Sequence, residues 1–133
     1  MDELKNRTFK IWAYTVSHSF LLLRSALMYP DQEGYYNEDC LYNIDIEFDA
    51  VEYIDIPSRL EGVVIRQLQN NIPEKLINYA RGLGSIVFEL ESKDNLYYII
   101  AARYSIGKNK WSSSQDRVFF NQLKHDEIIA SSK

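Results

Sequence analysis

The chain has 133 residues, 46% hydrophobic and 26% charged, with a formal charge of −4. That length fits a single domain over 1–133, since domains run ~100–150 residues, and the composition excludes wholesale disorder. No stretch reaches the ~18 apolar residues of a membrane span, the Met-Asp-Glu-Leu-Lys start lacks a signal-peptide pattern, and the one cysteine, Cys40, excludes an internal disulfide, so a cytoplasmic location is expected.

Charge is unevenly placed. Residues 31–61 hold ten acids and one base, Arg59, whereas the segments on either side are slightly basic.

Thr8–Thr15 alternates Phe9, Ile11 and Ala13 with Lys10, Trp12 and Tyr14, which predicts a strand. Val16-Ser17-His18-Ser19 breaks the pattern, and Phe20–Ser25 follows. Two readings of 20–29 compete: a second strand returning through a turn, or a helix capped by Ser19 and stopped by Pro30. The short run between turn residues favours the hairpin. Residues 30–40 read as a polar loop punctuated by Pro30 and Gly34.

From Tyr42 to Ile56 the even positions are mostly apolar (Ile44, Ile46, Phe48, Ile54, Ile56) and the odd ones mostly acidic (Asp45, Glu47, Asp49, Asp55). Period-two alternation predicts a strand with one apolar and one acidic face. Fifteen residues exceed the usual ~3–10, so a bend is expected near Ala50–Glu52. Residues 62–67 predict another strand, antiparallel to it.

Asn71–Arg81 predicts a helix: Asn71 as cap, Pro73 in the first turn, Glu74 completing a capping box, and Gly82 as stop. Residues 86–91 and 96–104 predict a hairpin, its second strand apolar on both faces and therefore central. Residues 106–111 read as a turn with lysines, 113–123 as a short helix, and 126–133 as a frayed tail. The expected fold is α+β: a mainly antiparallel sheet of five to six strands with one packed helix and a short C-terminal helix or tail.

Two strings, Tyr14-Thr15-Val16-Ser17-His18 running on to Leu21-Leu22-Leu23-Arg24-Ser25, and Asn43-Ile44-Asp45-Ile46-Glu47-Phe48 continuing to Asp55-Ile56-Pro57, resemble a pattern in small uncharacterised bacterial proteins. The resemblance implies a bacterial cytosolic protein and carries no activity, cofactor or catalytic residue.

Candidate chemistry is sparse. His18 at the hairpin tip could serve as an acid, base or ligand contact, yet Ser and His in turns ordinarily bond the backbone. His125-Asp126-Glu127 offers three ligand types in a row, but two histidines and one cysteine exclude a structural zinc site. Asp45, Glu47 and Asp49 share a strand face without the dense oxygen set of a calcium loop. Cys40 follows Glu38 and Asp39, which disfavour a thiolate. Arg81–Ser85 follows the expected helix, whereas phosphate cradles precede one. The negative charge disfavours nucleic acid as a partner. No catalytic residue, metal or cofactor is expected.

The acidic stretch holds five of the ten tyrosines nearby. Tyr35, Tyr36, Asp45, Glu47, Asp49 and Tyr53 are therefore the expected docking residues for a basic protein. The expected function is a protein-binding module or immunity-like inhibitor, with a competing view that the acids are a solvated or internally paired face. Alternatives are a small ligand-binding domain or enzyme with a pocket near His18, or a homo-oligomeric structural protein.

Overall fold

The computed structural model describes residues 2–35, 37–79, 84–118 and 122–132. Ten strands run in chain order: β1 (Thr8–Thr15), β2 (Phe20–Ser25), β3 (Asn43–Asp49), β4 (Tyr53–Asp55), β5 (Arg59–Glu61), β6 (Val64–Leu68), β7 (Ile86–Ser92), β8 (Asn95–Ala101), β9 (Arg103–Asn109) and β10 (Glu127–Ser131). They form a six-stranded sheet in the order β10-β9-β3-β2-β1-β5 and a four-stranded sheet in the order β4-β8-β7-β6. All pairings are antiparallel.

The two sheets share one core. Phe9, Leu21, Leu23, Ile44, Ile46, Phe48 and Ile106 of the larger sheet meet Phe88, Leu90, Ile99 and Ala101 of the smaller, with side chains alternating in and out. Phe88 bridges them through rings, 5.8 Å from Phe48 and 5.2 Å edge-on to Tyr104.

Two strands change sheets side by side. Chain β3 passes into β4 through Ala50, whose φ is +52°, and β8 passes into β9 at Ala102. The crossing is stitched by Ala102 N donating to Asp49 O (2.9 Å) and Glu52 N donating to Ile100 O (2.7 Å). The expected bend in 42–56 lies here. It divides one alternating run between two sheets.

The α+β expectation is overturned: strands dominate the described residues, and helical structure is confined there to one short turn at Asp2–Lys5 and 3₁₀ turns at Glu38–Leu41 and Glu74–Leu76. Asn71 has a positive φ of +56° and no capping role, and only a 3₁₀ turn forms at Glu74–Leu76. Leu76 instead seals the outer face of the small sheet with Val87, Tyr98 and Ile100, leaving Ile77 and Tyr79 about half exposed. One buried anchor with flanking Ile72 satisfies that face, and the asparagines, isoleucines and tyrosine here are weak helix formers. Residues 80–83, including the expected stop at Gly82, lie outside the described residues.

Other differences follow from pairing. Residues 127–131 are not frayed but pair with β9, and residues 106–109 belong to that strand instead of a turn. The described part of 113–123 is turn and coil, with 119–121 outside the described residues. Strand β6 pairs with β7, not with the 42–56 run. The β1–β2 hairpin is as expected, and β8 lies inside the small sheet with both faces covered. Among the described residues no helix is long and apolar enough to cross a membrane.

Candidate functional site

The outer face of the six-stranded sheet carries the expected acids, and Gln115, Arg117 and His125 reach it from the segment that follows β9. Asp45 and Glu47 are 0% and 6% exposed, so they do not form a solvent-facing acidic surface. Each is neutralised in place. Asp45 sits opposite Arg24 in the β2–β3 register and receives Arg24 Nε at 2.7 Å and Nη2 at 2.9 Å. This is a fork-to-fork pair in which two parallel donors meet two oxygens. Glu47 receives Arg117 Nε at 3.2 Å on one oxygen and contacts His125 Nε2 at 3.0 Å with the other.

Asparagines set the protonation of this network. Asn43 Oδ1 accepts from Leu27 N, so its Nδ2 donates, to Asn109 Oδ1 (2.7 Å) and Trp111 O (2.9 Å). Asn109 Nδ2 then donates to Asp45 Oδ2 at 3.0 Å and faces His125 Nδ1 at 3.1 Å. Nδ1 must accept, which leaves the imidazole proton on Nε2, directed at Glu47. The ring stacks on Trp111, with centroids 4.8 Å apart. It also lies on Gly107, where a Cβ would come within 2.3 Å of His125 Cγ. A glycine inside a strand marks such a close approach. His125, like Arg24, Asn43, Asn109 and Arg117, joins a network that the sequence pattern does not point to. Gly107 was the one local signal for His125.

Asp45, Glu47 and His125 bring their ligand atoms within 4.8 Å of one another. Both carboxylates are already compensated by guanidinium groups, and a dication would add to the two positive charges of Arg24 and Arg117. The geometry is that of a charge-balanced polar core.

The remaining expected residues are dispersed. Asp49 pairs with Arg103 at 2.7 Å, and Tyr53 lies on the other sheet, its ring tilted against Tyr79 with centroids 4.9 Å apart. Tyr35 is half-buried in the 26–42 loop, and Tyr36 lies outside the described residues. His18 is exposed at the hairpin tip, bonded to Ser17 Oγ at 2.9 Å. It lines none of the cavities described below.

A cleft of about 450 Å³ opens beside the polar core, walled by Lys10, Trp12, Arg24, Leu27, Met28 and Arg59. A second of about 410 Å³ adjoins it, sharing Trp12, Arg24, Ala26 and Leu27. Trp12 occupies the bulge between Ile11 and Ala13 in β1. Bulges re-aim side chains, and here the indole covers Arg24, with the guanidinium carbon 5.2 Å from a ring centroid. Arg24 is 1% exposed, donates also to Gln115 O, and leaves Nη1 without a hydrogen-bond partner among the described residues. Among the described residues that line the first cleft, Arg7, Lys10, Arg24 and Arg59 stand beside one acid, Glu33, while Arg24 is paired with Asp45 behind the wall and Arg59 with the exposed Glu61 at 3.6 Å. Arg7 is committed to Ser25 and to Tyr42 O, whereas Lys10 is exposed and makes no ion pair among the described residues. An acidic chain therefore carries a locally basic, aromatic-walled cleft. No protein-family model matches the chain, and neither a curated protein nor a solved structure matches it.

Proposed function

We propose that this chain is a ligand-binding module that holds a small anion in the cleft beside Trp12 and Arg24. The observation that carries this reading is the Arg24 guanidinium. It is buried, charged and positioned by Asp45, yet one of its nitrogens has no hydrogen-bond partner among the described residues. An unsatisfied buried donor costs about 1–3 kcal/mol, more when charged. An anionic oxygen reaching Nη1 as Trp12 turns aside would satisfy it, with Lys10 and Arg59 at the mouth adding long-range attraction. The cleft volume falls in the ordinary small-molecule range of ~300–1,000 Å³. The ligand pocket of this reading lies away from His18.

Calorimetric titration with inorganic phosphate tests it. Binding should weaken with added chloride and fall about tenfold in Lys10→Glu, whose side chain makes no hydrogen bond or ion pair among the described residues. Equal affinity in the wild type and in both Lys10→Glu and Arg59→Glu would remove this cleft from consideration.

A second reading retains docking on a basic protein but relocates it. Tyr29 is 60% exposed, and its neighbours Asp31, Glu33 and Glu38 are exposed with no ion pair among the described residues. Tyrosine amid unpaired acids favours recognition of a basic partner. Pulldown at low and high salt with an Asp31→Asn, Glu33→Gln, Glu38→Gln triple variant tests it: the variant should lose the salt-sensitive partner that the wild type retains.

A further inference from the structure

The second cavity differs in chemistry from the first. It is lined by Trp12, Tyr29 and Trp111, with Lys110 and Ser113 at its polar edge, and it meets the basic cleft at Arg24. Both tryptophans of the chain therefore line it. Aromatic faces recognise flat rings by stacking, and they do so with little demand on the ring's edge atoms. Polar groups free to read such edges are few here. Asn43 is fully used, its Oδ1 by Leu27 N and its Nδ2 by Asn109 and Trp111, and Ser112 is engaged with Ser114 and Gln115. An anion subsite and a ring subsite thus join through one shared wall.

We infer that the two lobes together accept a nucleoside monophosphate, with its phosphate at Arg24, Lys10 and Arg59 and its base in the lobe lined by Trp12, Tyr29 and Trp111. This rests on the anion-binding reading above and specifies its ligand class. The scarcity of edge-reading groups means that adenine, guanine, cytosine and uracil are accepted alike. Trp12 belongs to both lobes, so it moves with phosphate entry and then stacks on the base. Both events alter its fluorescence.

Three probes separate the contributions: inorganic phosphate, adenosine and adenosine monophosphate, each titrated by calorimetry and followed by tryptophan emission. Adenosine monophosphate should bind about tenfold or more tightly than phosphate, the gain expected of one stacked base. Adenosine alone should bind weakly, and the four monophosphates should agree within a few-fold. Trp111→Leu should bring adenosine monophosphate down to the level of phosphate without changing phosphate affinity. Because Trp111 also stacks on His125, Tyr29→Ala, at an exposed rim position, serves as the second variant and should lower nucleotide affinity about threefold with phosphate unaffected. Adenosine monophosphate binding no tighter than phosphate would overturn the ring subsite while leaving the anion cleft intact. Failure of all three probes would overturn both.

Discussion

Arg24 and Asp45 face each other across β2 and β3, their charged groups 2.7 Å apart and 1% and 0% exposed. Two ions so far from water are held by geometry, because their desolvation is expensive and is offset only by close pairing and further hydrogen bonds. Removing one partner leaves the other charged and stranded. Asp45→Asn should therefore cost about 3–5 kcal/mol of stability, read from urea unfolding. The double change Arg24→Met, Asp45→Leu should recover most of that loss. A single variant within about 1 kcal/mol of wild type would show that the pair is better hydrated than its burial indicates.

Gly107 is the contact that lets the His125 ring lie against β9. A methyl group there would overlap the His125 ring, with Cγ at 2.3 Å and Cδ2 at 2.6 Å. The ring cannot yield easily, since it is bonded to Glu47 and Asn109 and stacked on Trp111. Gly107→Ala should displace His125 and destabilise the fold by about 1–3 kcal/mol, the usual cost of overpacking. Trp111 emission should shift at the same time, because its stacking partner leaves. A stable variant with unchanged emission would contradict this packing.

These two sites also mark what sequence reading can reach. The alternation over 42–56 is legible because β3 turns Ile44, Ile46 and Phe48 into the shared core and its acids to the other face, and Ala50, at positive φ, marks the bend where the ribbon changes sheets. What the alternation cannot tell is what covers the acidic face. That depends on Arg117 and His125, which reach Glu47 from about seventy positions away. Local pattern holds no record of such a return. Asn71–Arg81 fails for the opposite reason: the caps are present as residue types, but Asn71 adopts a left-handed backbone and Leu76 is drawn onto the small sheet. Trp12 reads as an ordinary strand residue because a bulge is invisible until the partner strand is known.

Asp49 and Arg103 repeat the Arg–carboxylate pairing at the rim of the same sheet, with side chains 33% and 62% exposed. Water screens this pair and already solvates both groups. Asp49→Asn should change stability by no more than about 1 kcal/mol, and salt should weaken even that. The comparison with Asp45→Asn isolates burial, because strand, residue chemistry and distance are nearly the same. Equal losses in the two variants would mean that burial is not what distinguishes them.

Tyr98 supplies a pH dependence with a definite sign. Burial, then Glu89, pushes its hydroxyl above the ordinary tyrosine value of 10.0. The unfolded chain releases this proton at the ordinary value while the folded chain still holds it. Between the two values the folded state binds more protons, so raising the pH favours unfolding. Stability should fall as pH rises through 10, level off once the folded group also ionises, and be unaffected by this residue below that range. Lys75, held protonated above 10.5 chiefly by its hydrogen bond to Asp55, adds a loss of the same sign as its own proton leaves. Tyr98→Phe keeps Lys75 and Asp55 and removes only the tyrosine part. Urea midpoints measured from pH 8 to 11 should therefore decline less steeply in Tyr98→Phe than in wild type, and parallel declines would place the hydroxyl in water.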